Sequence, residues 1–437
     1  MQFVLRSLRT VSILFVLLCG VGTALGAPSS AERALVKRVQ AQQDSSIALL
    51  EEIVDINSGT MNFAGVRRVA DVLRPRFEAL GFKVRWEDGA AFGRAGHLIA
   101  EHPGRGRHVL LIGHLDTVFE PSHPFQRFER VDAQTVSGPG TSDMKGGLVV
   151  ALAALTALKE TKALDGMHIT MVMMGDEEDS GRPLALARAA LVAAAKAADV
   201  AIGLENGADD PKTALTARRG YTGWQIDVKA RSAHSSQIFT DEVGAGAIYE
   251  LARILHTFYE ELHGEELLTF NPGLIAGSTQ LNFDPKVLHA ETFGKDNIVA
   301  PVAVATGDLR TISSEQLERT KERMRKIVAA SLPGATATIT FSDGGVPMPP
   351  TEGNRKLLSM YDAVSRDLGF GPVTAVDPRR AGAADISYAA DYVEMAIDGI
   401  GLLGHGNHTP DEVADLRTFP IQSQRLAVLL LRLSKDL

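Results

Sequence analysis

A histidine and an aspartate stand two residues apart at the end of an apolar run, in HVLLIGHLDTVF. Side chains alternate along an extended strand, so His114 and Asp116 point to the same side. Such a pair is either a polar contact closed on itself or a metal-binding imidazole with a carboxylate behind it. Four other segments carry acids or imidazoles in comparable settings. SGPGTSDMKGG places Asp143 among glycines, where backbone can approach a ligand closely. DEEDSG, after HITMVMMG, supplies adjacent Glu177 and Glu178, and LENG, after DVAIG, supplies Glu205. GLLGHGNHTPDE offers His405 and His408 in a glycine-rich loop.

Each feature also has a plainer reading. Asp143 fits a helix N-cap, the acidic run 176–179 a solvated turn, Glu205 beside Asn206-Gly207 another turn, and His408 a loop histidine. Their coincidence favours chemistry. Two imidazoles and three carboxylates suffice for two divalent ions, zinc above all. Two such ions need one bridging carboxylate, for which Asp143 is the natural candidate. His114 with Glu205, and His408 with Glu178, would then complete the two ligand sets. A shared water would have its pKa lowered from about 15.7 towards about 7. Glu177 would be the spare carboxylate that takes its proton and passes it to a leaving amine, and Asp116 would orient the His114 ring.

These residues require elements to place them. KVRWED, HLIAEH, HVLLIG, MHITMVMMG and DVAIGLE read as strands. They alternate with helical patterns such as GGLVVALAALTALKE and PLALARAALVAAAKA, preceded by an amphipathic helix over AERALVKRVQAQQDSSIALLEEIVDI. Apolar strands alternating with helices imply a largely parallel α/β sheet covered on both faces, with its site beyond the carboxyl ends of the strands. After Ala217 the pattern changes to a half-exposed strand in RRGYTGWQIDVKARSA, two helices and the strand ATATITF, which reads as an inserted α+β domain. The expected divisions are a signal peptide over 1–26, a first catalytic part over 28–215, an inserted domain over 216–344 and a second catalytic part over 345–437.

With 437 residues, 45% apolar and 22% charged, the composition is that of a soluble globular protein. A formal charge of −8 argues against nucleic acid and anionic membranes as partners. Arg6, Arg9, an apolar run and the small residues of ALG-AP form a secretory signal pattern, so the expectation is a secreted, periplasmic protein without a stable membrane partner after cleavage. Losing both arginines would take the charge from −8 to about −10. Cys19 is the only cysteine, which leaves a mature chain without disulfides or thiolate ligands.

HLDTVF, GPGTSDMKGG, GDEEDSG, LENG and GNHTPDE together resemble the co-catalytic zinc exopeptidases that include glutamate carboxypeptidase, aminoacylase and acetylornithine deacetylase. The resemblance spans essentially the whole mature chain. It implies the site roles reasoned above, two Zn2+ ions per subunit, and a zinc-exopeptidase-like catalytic domain with an inserted lid that makes a homodimer. ARSAHSS resembles the segment whose histidine reaches a partner's active site to stabilise an oxyanion, here His234. DNIVAP and GDLR resemble segments contacting the substrate carboxylate, suggesting Asn297 and Arg310. RAGAADISYAA resembles the loop lining the substrate pocket, with Gly382 as its contact. Glu205 in place of aspartate leans away from the family's aminopeptidases, while GAAD lacks the fuller glycine run of some glutamate carboxypeptidases. The implied activity is hydrolysis of a C-terminal amide to release an amino acid, with glutamate the candidate, from a small peptide. The alternative is deacylation of an N-acyl amino acid at the same site.

Overall fold

In a computed structural model, residues 27–435 of the chain are described, Asp343 excepted; the expected signal peptide lies outside them. Five strands open the main sheet: β1 (Lys83–Asp88), β2 (Gly96–His102), β3 (Arg105–His114), β4 (Met167–Met174) and β5 (Val200–Gly203). The chain then builds a second sheet from β6 (Gly220–Ala230), β7 (Thr269–Ser278), β8 (Val302–Thr311) and β9 (Ala335–Phe341). It returns to the first sheet as β10 (Met395–Ile397). The six-stranded order is β1-β2-β4-β3-β5-β10, and only β2 runs against the rest. A mainly parallel α/β sheet is therefore present, as the strand pattern implies.

The near-continuous apolar run of β3 has a direct cause: both faces are covered. Val109 and Leu111 pack into a core shared with the helices Phe63–Ala79, Lys145–Glu160 and Thr418–Leu433. Leu110 and Ile112 face the opposite core with Leu191 and Ala195 of the helix Ala189–Ala197. Glycines let the helix Lys145–Glu160 start close to the loop after β5. A Cβ on Gly147 would lie 2.1 Å from the Leu204 carbonyl oxygen.

Two helical readings need correction. The run after the signal forms two helices, Ser30–Ala41 and Gln43–Val54, because the Gln42 N–H bonds to Val39 O at 3.2 Å and tightens the ladder there. The pattern over 183–197 also divides, at Arg188 between Leu184–Ala187 and Ala189–Ala197. Its side chain turns into the interior, a tertiary demand that periodicity does not register.

The second sheet is antiparallel, ordered β7-β8-β6-β9. Trp224, Ile226 and Val228 of β6 point to one face and pack with Leu251, Ile254 and Phe258 of the helix Gly246–Leu262 and Met324 of the helix Ser314–Ala329. Alternate residues of β6 are partly open to solvent, which explains the half-exposed pattern. Where the chain leaves and re-enters the main unit, Arg218 and Met348 exchange backbone hydrogen bonds, both 2.9 Å.

Candidate active site

Three adjacent parallel strands deliver the site at their carboxyl ends. β3 ends on His114, β4 runs into Glu177 and Glu178, and β5 into Glu205. Asp143 arrives from the loop before the helix Lys145–Glu160. It does not cap that helix, whose N-cap is Met144 without a side-chain bond. Its carboxylate instead lies between two imidazoles: Oδ1 is 3.2 Å from His114 Nε2 and Oδ2 is 3.1 Å from His408 Nε2. His114 Nε2 is also 3.4 Å from Glu205 Oε1, and His408 Nε2 is 3.1 Å from Glu178 Oε2. Ligand atoms of His114, Asp143 and Glu178 lie within 4.8 Å of one another. His405, in the short strand Gly404–His405, is exposed; His408, three residues on, has a backbone φ of 64° and, although its side chain is 58% exposed, reaches Asp143 and Glu178.

Asp116 ties this group together from behind. The His114 ring bonds through Nδ1 to the Asp116 carbonyl at 3.0 Å, and Asp116 Oδ1 is 3.4 Å from the same nitrogen. The Asp116 carboxylate accepts the N–H groups of Glu177 and Glu178, each at 3.2 Å, and the Thr60 hydroxyl at 2.7 Å. One carboxylate thus fixes the end of β3 against the turn after β4. Glu412 does the same for the Asp143 loop, accepting the N–H groups of Gly140, Ser142 and Asp143 at 3.1, 3.0 and 3.1 Å.

The electrostatics show a site short of positive charge. Burial opposes ionisation of His114, yet Glu205, Asp116 and Asp143 hold its pKa well above the usual imidazole range. Hydrogen bonds to Asp143 and Glu178 push His408 up to about 11. Burial and the Asp143 charge push Glu178, whose side chain is 5% exposed, up to about 7. Burial with Asp385, Glu205 and Glu178 nearby raises Glu177 well above the usual carboxylate range. Despite its burial, Asp143 is held low by hydrogen bonds from His114 and His408. Divalent cations fit this donor set: imidazole nitrogens and carboxylate oxygens converge, and the acids gathered there exceed the positive charge available.

These groups open onto a cavity of about 180 Å³ lined by Asp143, Glu177, Glu205, Arg218, Asn407 and His408, among others. A second lobe of about 130 Å³ shares Arg218 and Asn407 with it and adds Arg380 and Gly382. Hollows of about 560 and 630 Å³ lie elsewhere, against the helix Gln43–Val54 and across the second sheet, but neither gathers histidines and acids. Chemistry, rather than size, selects the site.

The fold brings His114, Asp116, Asp143, Glu177, Glu178, Glu205 and His408 together and places Gly382 on the second lobe, its carbonyl accepting from Arg218 Nη1 at 2.9 Å. His234, Asn297 and Arg310 stand apart on the second domain, outside the cavity lining. The exposed His234 ring bonds to the Ser236 hydroxyl at 2.8 Å, and the Asn297 carbonyl accepts the Ser235 N–H at 2.9 Å. Arg310 pairs with Asp308 at 2.7 Å.

Sequence reasoning missed Arg218, Asp398 and Glu412. Buried Asp398 accepts Arg218 Nε at 2.8 Å and the Glu205 N–H at 3.3 Å. It follows β10 just as Glu205 follows β5, so the strand-end rule applies to it; Glu412 closes the motif that carries His408. Arg218 has no comparable signal.

Known proteins agree with this architecture. The chain is 26% identical to carboxypeptidase G2 of Pseudomonas sp. (strain RS-16) over 416 residues, covering 94% of each chain. Among solved structures, aminopeptidase PepT of Bacillus cereus superposes with a TM-score of 0.68 at 18% identity, over 90% of this chain and 98% of that one. The Bacillus subtilis YXEP protein, a dinuclear metal binding peptidase, gives 0.61 at 15% identity, over 91% and 100%. Residues 110–432 match the model of peptidase family M20/M25/M40. The chain belongs to that family of metallopeptidases and is a hydrolase of its kind.

Proposed function

We propose that the protein is a di-zinc exopeptidase that cleaves a C-terminal amide and releases a free amino acid, with glutamate the candidate. The observation that carries this reading is Asp143 lying between two imidazoles, each with its own glutamate, and Glu177 beside them at the cavity. Asp143 would bridge the ions, His114 and Glu205 would hold one, and His408 and Glu178 the other. Zinc bound there would polarise the scissile carbonyl and acidify the attacking water. Glu177 would take a proton from the attacking water and return it to the leaving amine, a role suited to a carboxyl with a raised pKa. Asp116 keeps the His114 ring oriented. The 26% identity to carboxypeptidase G2 along 94% of the chain supports recognition of the C-terminal side of the amide.

The second domain would act as a lid and dimerisation domain. Its helix Gly246–Leu262 exposes Ile248 at 50% and Tyr249 at 55%, with Phe239 at 67% beside them, an apolar surface suited to a second copy. Across such a dimer His234 would stabilise the oxyanion, while Asn297, Arg310 and Gly382 would hold the substrate carboxylate. The N-terminal pattern supports export to the periplasm.

The test is product release from N-acyl and peptidyl substrates that differ only in the C-terminal residue, with zinc-loaded and chelator-treated enzyme. Zinc-dependent release of glutamate from several N-terminal groups is expected. Rates governed by the acyl group would instead mark an N-acyl amino acid deacylase, and cleavage indifferent to chelation would overturn the metal reading.

A further inference from the structure

Arg188, the residue that divides the 183–197 helical run, carries a buried network that the reaction as described does not use. Its side chain is 3% exposed and has carboxylates on two sides. Nη1 donates to Asp176 Oδ1 at 2.7 Å, and Nη2 donates to Ser180 Oγ at 2.7 Å and to the Asp176 carbonyl at 3.2 Å. Nε lies 2.9 Å from Asp385 Oδ1, and the Tyr388 ring covers the guanidinium at 5.2 Å.

The partners matter for where they belong. Asp176 and Ser180 bracket Glu177 and Glu178, and Asp176 Oδ2 closes that turn by accepting the Gly181 N–H at 2.9 Å. Asp385 follows Ala383 and Ala384, which line the same cavity as Glu177. One guanidinium therefore hydrogen-bonds to the turn that carries Glu177 and ion-pairs with Asp385, next in the chain to the wall a substrate would meet. A buried ion network is weak evidence for stability, since an apolar plug fills such space at lower desolvation cost. Its distinctive property is geometric: a planar fork of five donors holds two loops in one register, which a lysine ammonium cannot do.

We propose that Arg188 is a positioning residue that sets the spacing between Glu177 and the Ala383–Ala384 wall, so that a substrate seated on that wall meets the base in place. The inference rests on the reading of Glu177 as the general base. It assigns a kinetic role to Arg188 and Asp385, expressed in kcat rather than in KM or metal content.

The experiment compares Arg188→Lys and Asp385→Asn, each in the parent protein and in Glu177→Ala, measuring kcat, KM and bound zinc. Arg188→Lys is expected to lower kcat by about 10²-fold with KM and zinc content kept, because misplacement by about 1 Å costs that much. Asp385→Asn should lower kcat less, in the same pattern. Added to Glu177→Ala, neither change should lower the residual rate further, as expected for groups acting through one residue. An equal fall in the Glu177→Ala background, a raised KM with kcat kept, or lost zinc would overturn the proposal. Should Arg188→Lys fail to fold, an unchanged kcat in Asp385→Asn overturns it from the wall side. Failure of the base reading looks different: Glu177→Ala alone would retain turnover.

Discussion

The two sheets of this protein treat charge in opposite ways. At one end of the six-stranded sheet Asp116, Asp143, Asp176 and Asp398 are buried with His114. In the four-stranded domain the ion pairs lie mostly outside, as in Arg319 with Glu265 and Lys321 with Glu318, and Glu250, held by Arg253, is a buried exception. Surface pairs of that kind contribute only about 0–1 kcal/mol each. Burying an ion costs several kcal/mol unless partners compensate it. The first unit accepts that cost where cations can be held, while the second leaves Phe239, Ile248 and Tyr249 in water, where a protein surface can cover them. On the function proposed above, the difference separates a unit built for chemistry from one that would be built for contact.

The largest effect should come from the chemical side. Glu177→Ala is expected to lower turnover by about 10²- to 10⁴-fold, the usual range for a general base, while both zinc ions stay bound. Steady-state kinetics with elemental analysis of the same sample checks this; full turnover by the variant would remove the division of labour between Glu177 and the ligands.

An intermediate effect should come from the contact side. Introducing charge with Ile248→Arg and Tyr249→Arg should convert a dimer into monomers in sedimentation, with zinc content unchanged. If His234 serves the neighbouring active site, kcat falls with dimer loss by about 10²- to 10³-fold, as for other oxyanion donors. Unaltered mass would show that the exposed apolar surface has another use.

The smallest effect, and the one that sharpens the contrast, is on stability. In the metal-free protein Glu178, Glu412 and Asp385 are each pushed up to about 7, chiefly by burial, so the folded state retains protons that the unfolded state has released. Stability should therefore fall as pH rises from the ordinary carboxylate range towards about 7. His408, raised to about 11, adds stability that is full below its ordinary pKa and is lost as pH rises through about 11. Zinc reverses the trend, because its ligands must be deprotonated to bind it. Calorimetry should show the metal-free melting temperature falling between about pH 5 and about pH 8 and the zinc-loaded one rising; parallel slopes would contradict the assignment.

Much of this arrangement was legible in the residues themselves. Runs such as HVLLIG and HITMVMMG are strands by composition, and a parallel sheet gathers whatever follows its strands, so His114, Glu178 and Glu205 could be expected together before any contact was known. The second domain was visible in the switch to alternating burial along β6. Less legible were the groups whose partners lie far away in the chain. Asp398 meets Glu205 across 193 positions and Glu412 meets Asp143 across 269.

Local order therefore determined the strands, the helices and the kinds of atom delivered to the sheet's end, because those depend on period and side-chain chemistry within a few residues. Only the tertiary structure decided that Asp143 turns from its helix towards two imidazoles and that Arg188 breaks a helix to bind Asp176 and Asp385. It also decided that His234, Asn297 and Arg310 stand apart from the cavity within a single chain. Each of those outcomes depends on which buried polar groups find one another, and that pairing is set by packing across the whole chain rather than by any neighbourhood within it.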